Sequence, residues 1–204
     1  MNVARFRGVQ DVVADLSRVG GSDALLQSLP RLFAEAPDWL DYEASTWNVA
    51  PLNKQARSKI SRLDFARYGN GDVGEVCKVY LLWSIVEMGP SAKSLRLKYD
   101  AMKSLSDVLQ ARPLAAIRTE DFHVAEALLA KSYAKGTAAR WAGSLQTFAT
   151  WLALHTGIPL TYKSRLRVPV AHGSRASDAA RAEKLPPDEV IAAVVELWAR
   201  DDLR

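Results

Sequence analysis

The chain has 204 residues, 49% of them hydrophobic and 25% charged, with a formal net charge of +4. That is globular composition, long enough for one large domain or two small ones, and charges interrupt every apolar run, which excludes a transmembrane helix of the usual ~20 residues. One cysteine, Cys77, leaves no disulfide framework and fits a reducing, cytoplasmic setting.

From the start, Met-Asn-Val-Ala-Arg-Phe-Arg leads into mixed polar sequence with no apolar h-region, so no signal peptide is expected. Val9, Val12, Val13, Leu16 and Val19 form a short helical stripe that stops at Gly20-Gly21. Ser22 or Asp23 caps a second helix carrying Leu25, Leu26, Leu29, Leu32 and Phe33, where Pro30 predicts a break or a first-turn position. Residues 37–53 are apolar and aromatic without a period and read as an irregular connection. Ile60, Leu63, Phe65 and Tyr68 follow, and Gly69-Asn70-Gly71 closes the segment as the expected domain boundary.

Beyond Val73 the helical signal sharpens. Val76, Val79, Tyr80, Trp83 and Val86 share one face, while Leu81, Leu82 and Ile85 add apolar surface elsewhere, the mark of a central buried helix. Gly89-Pro90 stops it. Ser91 caps a long helix with Leu95, Met102, Leu105 and Leu109 inside, and Thr119 caps a third whose first turn holds Glu120 and Asp121 and whose apolar positions are Val124, Leu128 and Leu129. The fourth helix carries the stripe Trp141, Leu145, Phe148 and Leu152, preceded by Lys135, Thr137 and Arg140 and ended by Gly157-Ile158-Pro159. Residues 160–184 show no period and hold Lys163, Arg165, Arg167, Arg175, Arg181 and Lys184, an extended basic linker. Lys184-Leu185-Pro186-Pro187-Asp188-Glu189-Val190 opens a last helix with Ile191, Val194, Val195 and Trp198 on one side. No strand alternation and no internal repeat is visible, so the fold class expected is all-α.

The positive charge is unevenly placed. Residues 1–72 are neutral overall, 73–162 carry +3, 163–184 carry +4 and 185–204 carry −3. Basic excess in the second half is the asymmetry of a nucleic-acid-facing module. His123, His155 and His172 stand apart from one another, so no metal is assigned, and no cofactor or small-molecule substrate is evident.

Four helices, a basic linker and a Leu-Pro-Pro-Asp-Glu helix resemble the N-terminal half of a tyrosine recombinase, the phage-integrase family. The resemblance covers about Asp72 to Trp198. It is carried by Ser91-Ala92-Lys93-Ser94-Leu95, Ile117-Arg118-Thr119-Glu120-Asp121, Lys135-Gly136-Thr137-Ala138-Ala139-Arg140 and Phe148-Ala149-Thr150-Trp151-Leu152. It implies a four-helix, SAM-like core-binding domain over 73–159, preceded by a helical N-terminal extension over 1–72. A linker over 160–184 and the first helix of a truncated catalytic domain over 185–204 would follow. Its implied partners are double-stranded DNA and other protomers of the same recombinase on that DNA, with no membrane. The family's catalytic Arg, Lys, His, Arg and Tyr fall beyond Arg204, so no residue here is matched to them and the chain as given is not expected to cut DNA.

Lys135, Thr137 and Arg140 are the first candidates for DNA contact, with Thr137 also the candidate helix cap. Gly143, Thr147 and Thr150 lie away from the Trp141 stripe, where small polar residues would let a helix approach a groove closely. Lys93, Ser94 and Arg96 open the second helix beside Lys98, although Arg96 with Asp100 and Lys103 with Asp107 are (i, i+4) pairs that would equally serve the helix surface. Arg165 and Arg167 in the linker complete the set. The rival reading is a helical protein–protein interaction module with no DNA role, using the outer surface of the first helices.

Overall fold

The computed structural model describes residues 3–53, 60–68, 72–110, 112–167 and residue 190, with side chains in the first helix from Gly8 onward. Their order is α1 (Val3–Gly20), α2 (Ala24–Ala34), β1 (Thr46–Asn48), β2 (Arg62–Asp64), α3 (Asp72–Met88), α4 (Ala92–Leu109), α5 (Thr119–Ser132) and α6 (Lys135–Thr156), with short 3-10 turns at Ala50–Leu52, Phe65–Tyr68 and Leu114–Ala116. The molecule is mostly helical, in keeping with an all-α class. Residues 1–168 form one compact unit and 169–204 a second. In the second only Val190 is described, helical and half-exposed. The expected helix over 185–204, with Trp198, and the rest of the linker from residue 168 otherwise lie outside the described residues.

α3 occupies the centre because it is apolar on nearly every side: Val73, Val76, Cys77, Val79, Tyr80, Leu81, Leu82 and Ile85 are all buried. α4 packs on it through Leu95, Met102, Leu105 and Leu109, the predicted inner stripe, and α6 contributes Leu145, Phe148 and Leu152. α5 packs against α4 and α6 through Phe122, Ala125 and Leu129.

The N-terminal helices are joined to the bundle where two predicted helix stops meet. A Cβ on Gly20 would lie 2.0 Å from the Thr156 carbonyl oxygen, and one on Gly157, whose φ is +79°, would lie 2.3 Å from the Gly20 carbonyl oxygen. Only glycine permits that backbone approach. The Ser22 amide then donates to the Thr156 carbonyl at 3.2 Å. Val9, Val13 and Leu16 of α1 and Leu25, Leu29 and Leu32 of α2 join the same core as the bundle. The predicted boundary at 69–71 lies outside the described residues, and the elements on either side of it share that core.

Several expectations change. β1 and β2 form an antiparallel pair, Thr46 opposite Asp64, Trp47 opposite Leu63 and Asn48 opposite Arg62. Three residues per strand are too few for alternation to register in sequence. Lys78, buried in α3, pins the segment before β1 by donating to the carbonyls of Tyr42 (3.2 Å) and Ala44 (3.1 Å). α2 runs through Pro30 without breaking, Pro30 lying on its exposed side while Leu29 and Leu32 keep the helix packed. Val19 is turned outward at 57% exposed. Trp141 is only half-buried, at the rim of the stripe it was expected to lead, with its ring against Tyr133 at 4.5 Å.

Candidate nucleic-acid interface

The fronts of α4, α5 and α6 are built differently. Ser91 caps α4, its hydroxyl accepting the Ser94 amide at 3.2 Å. At α5 the cap residue is Arg118 rather than Thr119. Asp121 reaches back to accept the Arg118 amide at 2.9 Å and also pairs with Arg112. The Thr119 hydroxyl instead accepts the Thr161 amide at 3.2 Å. The cap residue of α6 is Ala134, and no side chain caps the helix. Thr137 is therefore not the cap: it sits one turn in, and its amide donates to the Ala134 carbonyl. The amides of Lys135 and Gly136 have no acceptor among the described residues and lie beside the exposed side chains of Lys135, Thr137 and Arg140. Neither Lys135 nor Arg140 forms an ion pair with the described residues.

Past its first turn the exposed positions of α6 are Arg140, Gly143, Thr147, Thr150 and Leu154, one stripe opposite the buried one. Thr147 donates to the Gly143 carbonyl and Thr150 to the Gln146 carbonyl, both at 3.0 Å. With the hydroxyls folded onto the backbone, this side of α6 has low relief between Arg140 and Leu154.

α4 divides its cations. Lys93 and Ser94 are exposed on the first turn. Arg96 is committed to the protein: it donates to Asp100 at 2.8 Å and to the Arg62 carbonyl at 3.4 Å, with its guanidinium 5.3 Å from the Tyr99 ring centre. The hydrogen bond to Asp100 holds its pKa above the usual arginine value. Lys98 is buried. Its ammonium donates to Ser84 at 2.8 Å and lies over Tyr80, and burial pushes its pKa below the ordinary lysine value. It faces the core and offers no charge to a ligand at the surface.

The segment after α6 has no regular secondary structure through Arg167, but it is docked on the bundle. Tyr162 is buried, stacked on Phe122 at 5.2 Å, and donates its hydroxyl to Glu126. The Ser164 amide donates to Gln146 at 2.9 Å and the Arg165 amide to Glu126 at 3.0 Å. Burial, with Glu126 adding to it, raises the Tyr162 pKa. The side chains of Lys163, Arg165 and Arg167 are left outside, Arg167 donating to the Ser164 carbonyl at 3.3 Å. Arg165 lies on the rim of a groove over α5, not at the front of α6. The candidates thus fall into three places: the start of α4, the front and outer face of α6, and the docked segment.

One signal in the chain bears on all of this. Between Glu126 and Asp178 there is no Asp or Glu, while Lys131, Lys135, Arg140, Lys163, Arg165, Arg167 and Arg175 fall in that stretch. Of the cations elsewhere, Arg18 pairs with Asp15, Arg31 with Glu35 and Glu87, and Lys103 with Asp107. Lys131 likewise forms no ion pair among the described residues, and the acid-free run is the feature of the sequence that points to it. Among the described residues no group of three or more His, Cys, Asp and Glu is placed to hold a metal, and no helix is long and apolar enough to cross a membrane. The chain matches no protein-family model, no curated protein and no solved structure.

Proposed function

We propose that this chain grips duplex DNA through phosphate contacts made by the front of α6, with Lys93 and the docked segment as supports. The observation that carries the reading is the uncapped start of α6 beside exposed Lys135 and Arg140, which form no ion pair among the described residues, inside a stretch of chain with no carboxylate. Open helix amides and the positive end of the helix dipole attract phosphate oxygens, and the two cations add charge-assisted contacts. The flat outer face of α6 through Gly143, Thr147 and Thr150 would let the helix approach the duplex closely. Such contacts position a protein on DNA, and base readout would fall to Arg140.

The resemblance of the sequence from about Asp72 to Trp198 to a tyrosine recombinase supports the finer reading. In it, these helices are a SAM-like core-binding domain, and the parent activity is DNA breakage and rejoining in integration or recombination. Within residues 1–204 the role is to hold DNA, beside other protomers of the same protein. Titration of a labelled duplex with the full chain tests the reading. With about three to five phosphates neutralised, log K falls against log salt with a slope of roughly −3 to −4.5. Absence of binding at low salt, or binding indifferent to salt, rejects it in favour of a protein–protein interaction module.

A further inference from the structure

α5 carries a second surface, which the DNA reading touches only at Arg165. Glu120, Val124, Ala127, Leu128 and Lys131 are all exposed and recur at helical spacing, so they form one outward stripe. Val124 and Leu128 are among the apolar positions that the sequence marks on this helix, yet they are 50% and 44% exposed. With Thr119, His123 and Arg165 they line an open groove of about 690 Å³. An apolar stripe set in a concave surface and flanked by charged residues can seat a partner.

Charge at the two ends of the stripe indicates what covers it. Glu120 lies in the first turn of α5 and Lys131 in the last, with only apolar members of the stripe between them. Neither forms an ion pair among the described residues. A partner of one charge sign would satisfy one end and be repelled at the other. A second α5 laid antiparallel satisfies both. We propose that the groove is the interface of a two-fold dimer of this chain, α5 against α5. An axis beside the middle of the helix brings Glu120 of each copy to Lys131 of the other. The same axis sets Val124 of each against Ala127 and Leu128 of the other, apolar knobs entering the facing groove. The antiparallel arrangement also opposes the two helix dipoles favourably. One helix pair buries less than the ~1,600 Å² of a standard stable interface, so the dimer is weak, forming on the order of 100 µM and above.

Sedimentation velocity on the full chain, without DNA, from about 10 µM to about 1 mM tests the proposal. The parent associates to a dimer in that range. Leu128→Asp abolishes association. Glu120→Lys and Lys131→Glu each set like charges against each other at both ends, and each weakens association at least about tenfold. An equimolar mixture of these two variants forms a heterodimer with parental affinity, because both ends again pair opposite charges, and the double variant Glu120→Lys/Lys131→Glu dimerises with itself. All three substituted positions are exposed, and unchanged thermal melting of the variants shows that association, not folding, was altered. A parent that stays monomeric throughout, a Leu128→Asp variant that still dimerises, or a mixture of well-folded single variants that stays monomeric overturns it.

Discussion

The buried carboxylate of Glu126 on α5 accepts the hydroxyl of Tyr162, thirty-six residues further along the chain. The same carboxylate takes the Arg165 amide, so one side chain fixes the course of the segment after α6. A carboxylate placed under a chain of basic residues could look like a charge partner for Arg165 or Arg167. Its hydrogen bonds go instead to a phenol and a main-chain amide, and both guanidinium groups stay outside.

Removing that link should loosen the segment without unfolding the bundle. Tyr162→Phe loses a hydrogen bond to a carboxylate, with an expected cost of about 1.5–3 kcal/mol. Glu126→Ala costs more, because the Tyr162 hydroxyl and the Arg165 amide are both left without an acceptor. Urea denaturation measures both. If either variant matches the parent, the segment is held by its apolar contacts alone.

Lys135→Ala and Arg140→Ala should each weaken duplex binding and flatten the salt slope by about 0.9. Thermal stability should change by no more than about 0.5 kcal/mol, because both side chains are exposed and form no ion pair among the described residues. Weakening that is uniform across sequences marks a positioning contact. Weakening confined to one target shows Arg140 reading a base edge. Intact binding with a much lower melting temperature would instead make the pair a structural support of α6.

Lys98→Met should leave DNA binding unchanged and keep or raise stability at neutral pH by about 1 kcal/mol, since a buried cation is exchanged for an apolar chain of similar length. Ser84 stays satisfied, as its hydroxyl also bonds the Tyr80 carbonyl at 2.8 Å. The sign of the pH effect is fixed by burial. With its pKa lowered in the fold, Lys98 favours the native state above the ordinary lysine value, and that contribution is lost as pH falls through the lowered value. The parent therefore gains on the variant as pH rises between those two values. Chemical denaturation of both proteins at pH 7 to 10 follows it.

Phe148→Ala should cost about 3–5 kcal/mol, since Phe148 is wholly buried among Tyr80, Phe122 and Trp151. Trp141→Ala should cost clearly less, because half-buried Trp141 leaves a gap open to solvent rather than a closed cavity. Equal losses in the two melting curves would place Trp141 in the core after all.

Much of the fold was legible along the chain. The four helices from Asp72 to Thr156 show in their apolar spacing, their ends in Gly89-Pro90 and Gly157, and the burial of α3 in its unbroken apolar surface. These are local properties: a helix, its cap and its apolar stripe depend on residues within a few positions of each other. The basic bias of the second half was equally plain, because charge needs no fold to be counted.

Which cations remain available, and which apolar residues remain uncovered, only the tertiary structure decided. Arg96 and Lys98 belong to the same basic cluster in sequence as Lys93, yet Asp100 and the Arg62 carbonyl take the first and the core takes the second. Val124 and Leu128 have the spacing of core residues, but α4 and α6 cover only the Phe122, Ala125 and Leu129 side of α5. Periodicity reports that a helix has an apolar side. It does not report how many neighbours will pack there, because those neighbours arrive from distant parts of the chain. The meeting of Gly20 with Gly157 and of Glu126 with Tyr162 has the same origin: each pair is far apart in sequence and neither member marks the other.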